Sequence, residues 1–264
     1  MVTLDAQQTN PLLRGTTVLT GSAAANPDIP TVVGGALVSA ASFGAPAAPG
    51  TLVSLFGNRL ADGSATAPSL PLPVDLGGTT ALLGGRPLPL VFSSQGQINA
   101  IVPYELAANV RHQLIVRRGM RQSVPEPIIL AAVQPSVFTL DLSGKGQGHI
   151  YRITPEGGQV LAGPDNPVRE GDFLVIDTTG LGAVDPPVAA GEAVPDAPLR
   201  RTTNPVRVFI DGQGAEVLFA GLTPGFTGLY QVNLRLPGGL AAGTATVVIA
   251  VAGSSSPPVT VAVW

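Results

Sequence analysis

A chain of 264 residues is long enough for one large β-domain or two of ordinary size. Its 33 glycines and 26 prolines, with 45% hydrophobic, 12% charged and 5% aromatic residues, argue against helices and against disorder, and fit many short strands joined by tight turns. A net charge of −3 without a run of either sign speaks against a nucleic-acid surface, and the lack of cysteine excludes disulfides, thiolate metal sites and thiol catalysis.

Residues 1–33 read as an N-terminal extension. In "MVTLDAQQTN" no basic stretch precedes an apolar core, so either the protein is not secreted by that route or, the favoured expectation, the chain is already processed or excised from something longer. Val2, Leu4 and Ala6 alternate with Thr3, Asp5 and Gln7, which suits a strand with one buried face, and "TTVLT" around Val18 is a second short alternating piece. These four apolar residues are the expected contacts of a strand donated to a neighbouring subunit; the alternative is that the segment folds back on its own domain.

Residues 34–133 and 168–264 read as two copies of one unit. "PGTLVSLFGNRLA" parallels "EGDFLVIDTTGLG", and "LLGGRPLPLVFS" parallels "FIDGQGAEVLFA". "QINAIVPYEL" parallels "QVNLRLPGGL", "HQLIVRRG" parallels "ATVVIAVAG", and each copy closes on a Pro-rich apolar strand, "VPEPIILAAV" or "SPPVTVAVW". Each copy holds about six or seven short strands in about 100 residues, the spacing of a β-sandwich. A single helical turn at "YELAANV" is the one departure expected. Long loops follow the first core strand in both copies, "DGSATAPSLPLPVD" and "AVDPPVAAGEAVPDAPLRRTTN". Between the copies, residues 134–167 read as a bridging hairpin with strands near Gly148–Thr154 and Gln159–Leu161.

The repeated motif is Gln97, Asn99 and Pro103 in the first copy and Gln231, Asn233 and Pro237 in the second. Ile98 and Val232 point to one face of a strand and the flanking amides to the other. Each proline ends the ladder for want of an N–H, and each asparagine is placed to bond loop backbone and pin the turn. The structural reading is a strand-to-turn signature; the alternative is a pair of ligand-contacting amides.

Together, "LVSAASFGAPAAPGTLVSLFGNRLA", "PVDLGGTTALLGGRPLPLVFSSQGQINAIVPYEL", "QPSVFT", "NPVREGDFLVIDTTGLGAVDPPV" and "PLRRTTNPVRVFIDGQGAEVLFAGLTPGFTGLYQVNLRLPGGL" resemble the Solibacter-type uncharacterised C-terminal domain family of large secreted acidobacterial proteins. The resemblance spans about Ala36–Trp264. Each half also resembles the IPT/TIG immunoglobulin-like domain, through Gly-x-x-Val-x-Leu-x-Gly and the later Gln-Ile-Asn-x-x-Val-Pro. The resemblance implies an extracellular or cell-surface tandem of immunoglobulin-like domains and transfers no catalytic residue.

The expected fold is therefore all-β: two tandem immunoglobulin-like sandwiches with an extended N-terminal segment. His112 and His149 lack a Gly-x-Ser-x-Gly partner and read as strand or loop histidines. Asp172 and Asp177 stand at an odd separation, which sends them to opposite sides of a strand, while Glu105 and Glu126 stand alone, so a glycosidase pair is not expected. "DLSGKGQG" and "GPDNP" are read as turns before calcium loops. No catalytic, cofactor or metal residue is assigned. The expected function is a non-enzymatic extracellular structural protein that self-assembles into a filament or surface polymer, or acts in adhesion. Its expected partner is itself or another cell-surface protein, with no nucleic acid and no membrane span. The alternative is a carbohydrate-binding module, for which Tyr104 and Tyr151 are the candidate platform.

Overall fold

The computed structural model describes residues 28–44 and 46–264. The first sandwich uses β1 (Thr31–Ser39), β2 (Leu52–Asn58), β3 (Ala65–Thr66), β4 (Thr79–Leu83), β5 (Arg86–Pro87), β6 (Leu90–Ser93), β7 (Gln97–Ile101), β8 (Arg111–Arg118), β9 (Arg121–Gln122) and β10 (Glu126–Ile129). One sheet has the order β1-β2-β7-β6-β3 and the other β10-β8-β4-β5, with β9 beside β8.

The second sandwich uses β11 (Ser136–Val137), β12 (Ile150–Ile153), β13 (Gln159–Leu161), β14 (Phe173–Thr179), β15 (Val184–Asp185), β16 (Arg201–Thr202), β17 (Val206–Ile210), β18 (Gln213–Leu222), β19 (Tyr230–Arg235), β20 (Gly243–Val251), β21 (Ser254–Ser255) and β22 (Val259–Val263). Its strands run β13-β12-β14-β19-β18-β17-β20, with β22 on β20. Strand β18 serves both layers: Gln213–Ala215 pair with β17 and Glu216–Leu222 with β19. In the first sandwich the same path is cut in two, because "RPLPL" ends β5 on Pro87 and puts Pro89 between β5 and β6, where proline offers no donor.

Alternation sets the cores. Val259, Val261 and Val263 are buried and Trp264 is 72% exposed. Leu37, Val53, Leu55, Ile98 and Val116 fill the first core, and Ile150, Leu174, Ile176, Val232 and Val247 the second. Each such aliphatic contributes about 1.5–3 kcal/mol by leaving water. The hairpin turns are equivalent as well: Gly84-Gly85 joins β4 to β5 and Asp211-Gly212 joins β17 to β18, all four at positive φ, as the tight two-residue turn requires.

Three expectations are corrected. Strand β1 begins at Thr31, so the first sandwich starts inside the expected 1–33 extension. Residues 134–167 do not bridge the copies: β11 and β12 both pair with β14, β13 pairs with β12, and Val137, Ile150 and Ala162 belong to the second core. The register explains why. Thr31 and Val32 pair with Asn58 and Gly57 as Ser136 and Val137 pair with Thr179 and Thr178, so "PTVV" and "PSVF" are one motif. The second copy inserts residues 138–149 where β1 carries only an irregularity between Val32 and Leu37. At "YELAANV" there is a turn, in which Leu106 N donates to Pro103 O, rather than a helix. Val2, Leu4, Ala6 and Val18 lie outside the described residues.

Candidate functional site

The repeated Gln-x-Asn motif occupies the centre of a sheet in both copies. β7 lies between β2 and β6, and β19 between β14 and β18. Both asparagines stand opposite a phenylalanine at a register shift, Phe92 in β6 and Phe219 in β18. Residues two apart on a strand share a face, and the two side chains bond each other: Gln97 Nε2 donates to Asn99 Oδ1 at 2.7 Å and Gln231 Nε2 to Asn233 Oδ1 at 3.2 Å. The asparagines thus accept from their own strand rather than bonding loop backbone. Asn99 accepts a second bond from buried Ser54 Oγ at 3.2 Å. Pro103 and Pro237 lie just beyond the ends of β7 and β19, and Leu106 and Leu240 pack on the cores behind them.

The sandwiches meet end to end across a built joint. Tyr230 is fully buried; its hydroxyl donates to Gly182 O at 2.6 Å and lies 3.2 Å from the hydroxyl of Tyr104 in the first copy. Burial pushes Tyr104 up to about 12 and Tyr230 well above the usual phenol range. Gly50 makes this approach feasible, since a Cβ there would sit 2.2 Å from the Tyr104 ring. Leu52 N donates to Thr179 Oγ1 at 3.1 Å, Leu72 N donates to Gly191 O at 2.8 Å, and the hydroxyls of Ser42 and Ser136 lie 2.9 Å apart.

Beside this joint runs a groove of about 730 Å³ lined by both sandwiches. The first contributes Leu52, Leu70, Leu72 and Val91. The second contributes Phe138, Leu142 and His149 from or next to the inserted segment, Tyr151, Val175 and Asp177 from its strands, and Thr223, Phe226 and Leu229 from the loop before β19. On its floor three polar side chains are linked. His149 Nδ1 donates to Asp177 Oδ2 at 2.7 Å, and His149 Nε2 lies 3.0 Å from the Tyr151 hydroxyl. The two rings meet edge to face at 5.0 Å. Antiparallel pairing of β12 with β14 brings the residues together, Ile150 standing opposite Ile176 and Tyr151 opposite Val175. Burial pushes the Asp177 carboxyl up, partly offset by the hydrogen bond from His149. Burial, then the Asp177 charge, raises the Tyr151 phenol. No serine or cysteine lines the groove as a nucleophile among the described residues.

Other candidate residues are dispersed. Of the motif amides, Gln231 lines the groove. His112 Nε2 lies 2.7 Å from Ala107 O and does not line the groove. Asp172 accepts from Arg169 N at 2.8 Å and lies 3.8 Å from Arg152 Nε, away from Asp177. Tyr104 and Tyr151 form no shared platform, Tyr104 being taken up by the joint and Tyr151 by the groove. In "DLSGKGQG", Asp141 Oδ1 accepts from both the backbone and hydroxyl of Ser143, which lowers its carboxyl. Among the described residues no group of three potential metal ligands is present, and no helix is long and apolar enough to cross a membrane. Sequence reasoning missed the His149–Asp177 link because the two residues sit on strands whose register nothing local specifies.

No family model and no curated protein matches this chain. Among solved structures it is similar to the plexin A4 full extracellular region, at 10% identity and a TM-score of 0.25 over 92% of this chain, which spans 19% of that one. It is similar to bovine butyrophilin at 11% identity and a TM-score of 0.25, over 90% of this chain and 99% of that one. It is also similar to surface layer protein SbsC, domains 4–9, at 15% identity and a TM-score of 0.21, over 89% of this chain and 30% of that one.

Proposed function

We propose that the protein is a non-enzymatic structural module of the cell surface or extracellular space, which joins copies of itself into a polymer by strand addition. The observation that carries this reading is the outer edge of β1. It ends its sheet with no neighbouring strand among the described residues, whereas its counterpart β12 has β13 on the same side. The edge strand is nine residues long, "TVVGGALVS", with an irregularity between Val32 and Leu37, and carries no charge and no proline, two of the devices that blunt an edge. Val33 on it is 53% exposed. The joint between the sandwiches is hydrogen-bonded, as Leu52 N to Thr179 Oγ1 and Tyr230 to Tyr104, and a strand given head to tail makes a chain that does not close. The donor is the alternating N-terminal segment around Val2, Leu4 and Ala6.

The test compares the intact chain with a deletion of residues 1–22 and with Val33→Lys, by sedimentation and negative-stain microscopy. Polymers in the intact chain that are lost in both variants are expected. Polymers as abundant without the segment, or an intact chain that stays monomeric at high concentration, would overturn strand donation.

A further inference from the structure

We propose that the groove between the two sandwiches binds an uncharged, largely hydrocarbon molecule bearing a hydroxyl group, its tail among Leu70, Leu72, Phe138, Leu142 and Phe226 and its hydroxyl against Tyr151. This site is independent of the edge strand invoked for assembly.

Size and wall chemistry come first. A volume of about 730 Å³ falls among small-molecule sites, which span about 300–1,000 Å³. Most of the surface the groove presents is apolar, although Gln159, Gln231 and threonines also line it, and two of its large apolar side chains face water, Leu142 at 68% exposure and Phe226 at 54%. Covering them with hydrocarbon recovers about 25 cal/mol for each Å² removed from water. A sugar would need a polar partner for most of its hydroxyls and would leave the apolar majority of this surface uncovered by hydrocarbon.

Charge narrows the class. Asp177, His149 and Tyr151 are the only titratable side chains lining it among the described residues. With Asp177 ionised, the Asp177–His149 pair is neutral when the imidazole is doubly protonated and negative otherwise, so neither of these states rewards an anionic head group.

Hydrogen bonding selects the hydroxyl. With neutral His149, Nδ1–H faces Asp177, Nε2 accepts the Tyr151 proton, and the tyrosine oxygen accepts from a ligand. With protonated His149, Nε2–H donates to the tyrosine oxygen, and the phenolic proton turns to a ligand acceptor. A hydroxyl satisfies both arrangements, whereas a carbonyl satisfies only the second.

The experiment follows the ring protons of the two histidines by NMR while octanol is titrated into the full chain, with octanoate and glucose as comparison probes. Octanol is expected to shift the His149 signals saturably and leave those of His112 in place. Octanoate and glucose are expected to leave both unmoved. Tyr151→Phe, which loses one hydrogen bond in a desolvated site, weakens octanol binding about tenfold. Leu142→Ser, a change at an exposed position that spares the fold, weakens it several-fold. No saturable shift at His149, octanoate or glucose acting as strongly as octanol, or both variants binding octanol like the parent protein would each overturn the proposal.

Discussion

The end of the sandwich where the Gln-x-Asn strand begins is built twice, and the two versions differ where one is covered. In the second copy Tyr230 precedes Gln231 and Gly180 follows β14; both are buried in the joint. In the first copy their counterparts are Gly96 and Arg59, both exposed. The backbone is the same: Arg59 and Gly180 both adopt positive φ, 54° and 80°. A Cβ at Gly180 would sit 2.0 Å from Gln134 O, whereas Arg59 has room for a full side chain. A turn that tolerates an ordinary residue at a free end thus demands glycine once a neighbouring segment closes over it.

The largest effects are expected where this difference is removed. Tyr230→Ala empties a fully buried ring site and costs about 3–5 kcal/mol. Gly180→Ala forces a β-carbon against backbone at positive φ and costs more than the about 1–2 kcal/mol of the conformation alone. Arg59→Ala on the free end stays within about 0.5 kcal/mol. Equilibrium denaturation of the three variants measures the contrast, and a Gly180→Ala variant as stable as Arg59→Ala would remove the asymmetry between the ends.

A middle-sized contrast lies within the motif. Asn99→Ala strands two donors, Gln97 Nε2 and buried Ser54 Oγ, and is expected to cost about 1–2 kcal/mol. Asn233→Ala strands only Gln231, because Val175 stands where the first copy has Ser54, and is expected to cost about 0.5–1 kcal/mol. Thermal unfolding of each single variant ranks them, and equal losses would show that Ser54 adds nothing.

The smallest effect is one of pH. Phe56 stands opposite Gln97 where Asp177 stands opposite Gln231, so this position titrates only in the second copy. Burial holds the folded Asp177 above its ordinary value of 3.8. Across a window that opens near 3.8 and extends upward, the folded protein keeps a proton the unfolded chain has released. Asp177 therefore makes stability fall as pH rises through that window. Asp177→Asn still offers an amide oxygen to His149 Nδ1, and is expected to flatten this slope. Denaturation midpoints measured across the acid range check it, and an unchanged slope in the variant would assign the pH dependence elsewhere.

Much of the fold was written in local chemistry. Glycine and proline at turns, valine alternation in β20 and β22, and the ordered series of paired motifs imply two sandwiches, because each acts within a few residues and at period two. The place of Gln97 and Gln231 follows from the same logic, although their bonding partners do not: an i, i+2 amide pair and a loop anchor look alike in sequence. Residues 134–167 were misassigned for a physical reason. Their motif "PSVF" is four residues long and is cut from the rest of its strand by the insertion 138–149, so only pairing with β14 reveals it as the start of a copy.

The sequence by itself determined the class, the repeat and the buried faces, since hydrophobic burial and turn geometry are decided residue by residue. The tertiary structure alone decided the joint and the groove. Tyr104 meets Tyr230, and Leu72 meets Gly191, only because two sandwiches stand end to end. His149 meets Asp177 only because an antiparallel register sets one strand against another. Contacts of that kind depend on the relative placement of whole sheets, which no local pattern of polar and apolar residues encodes.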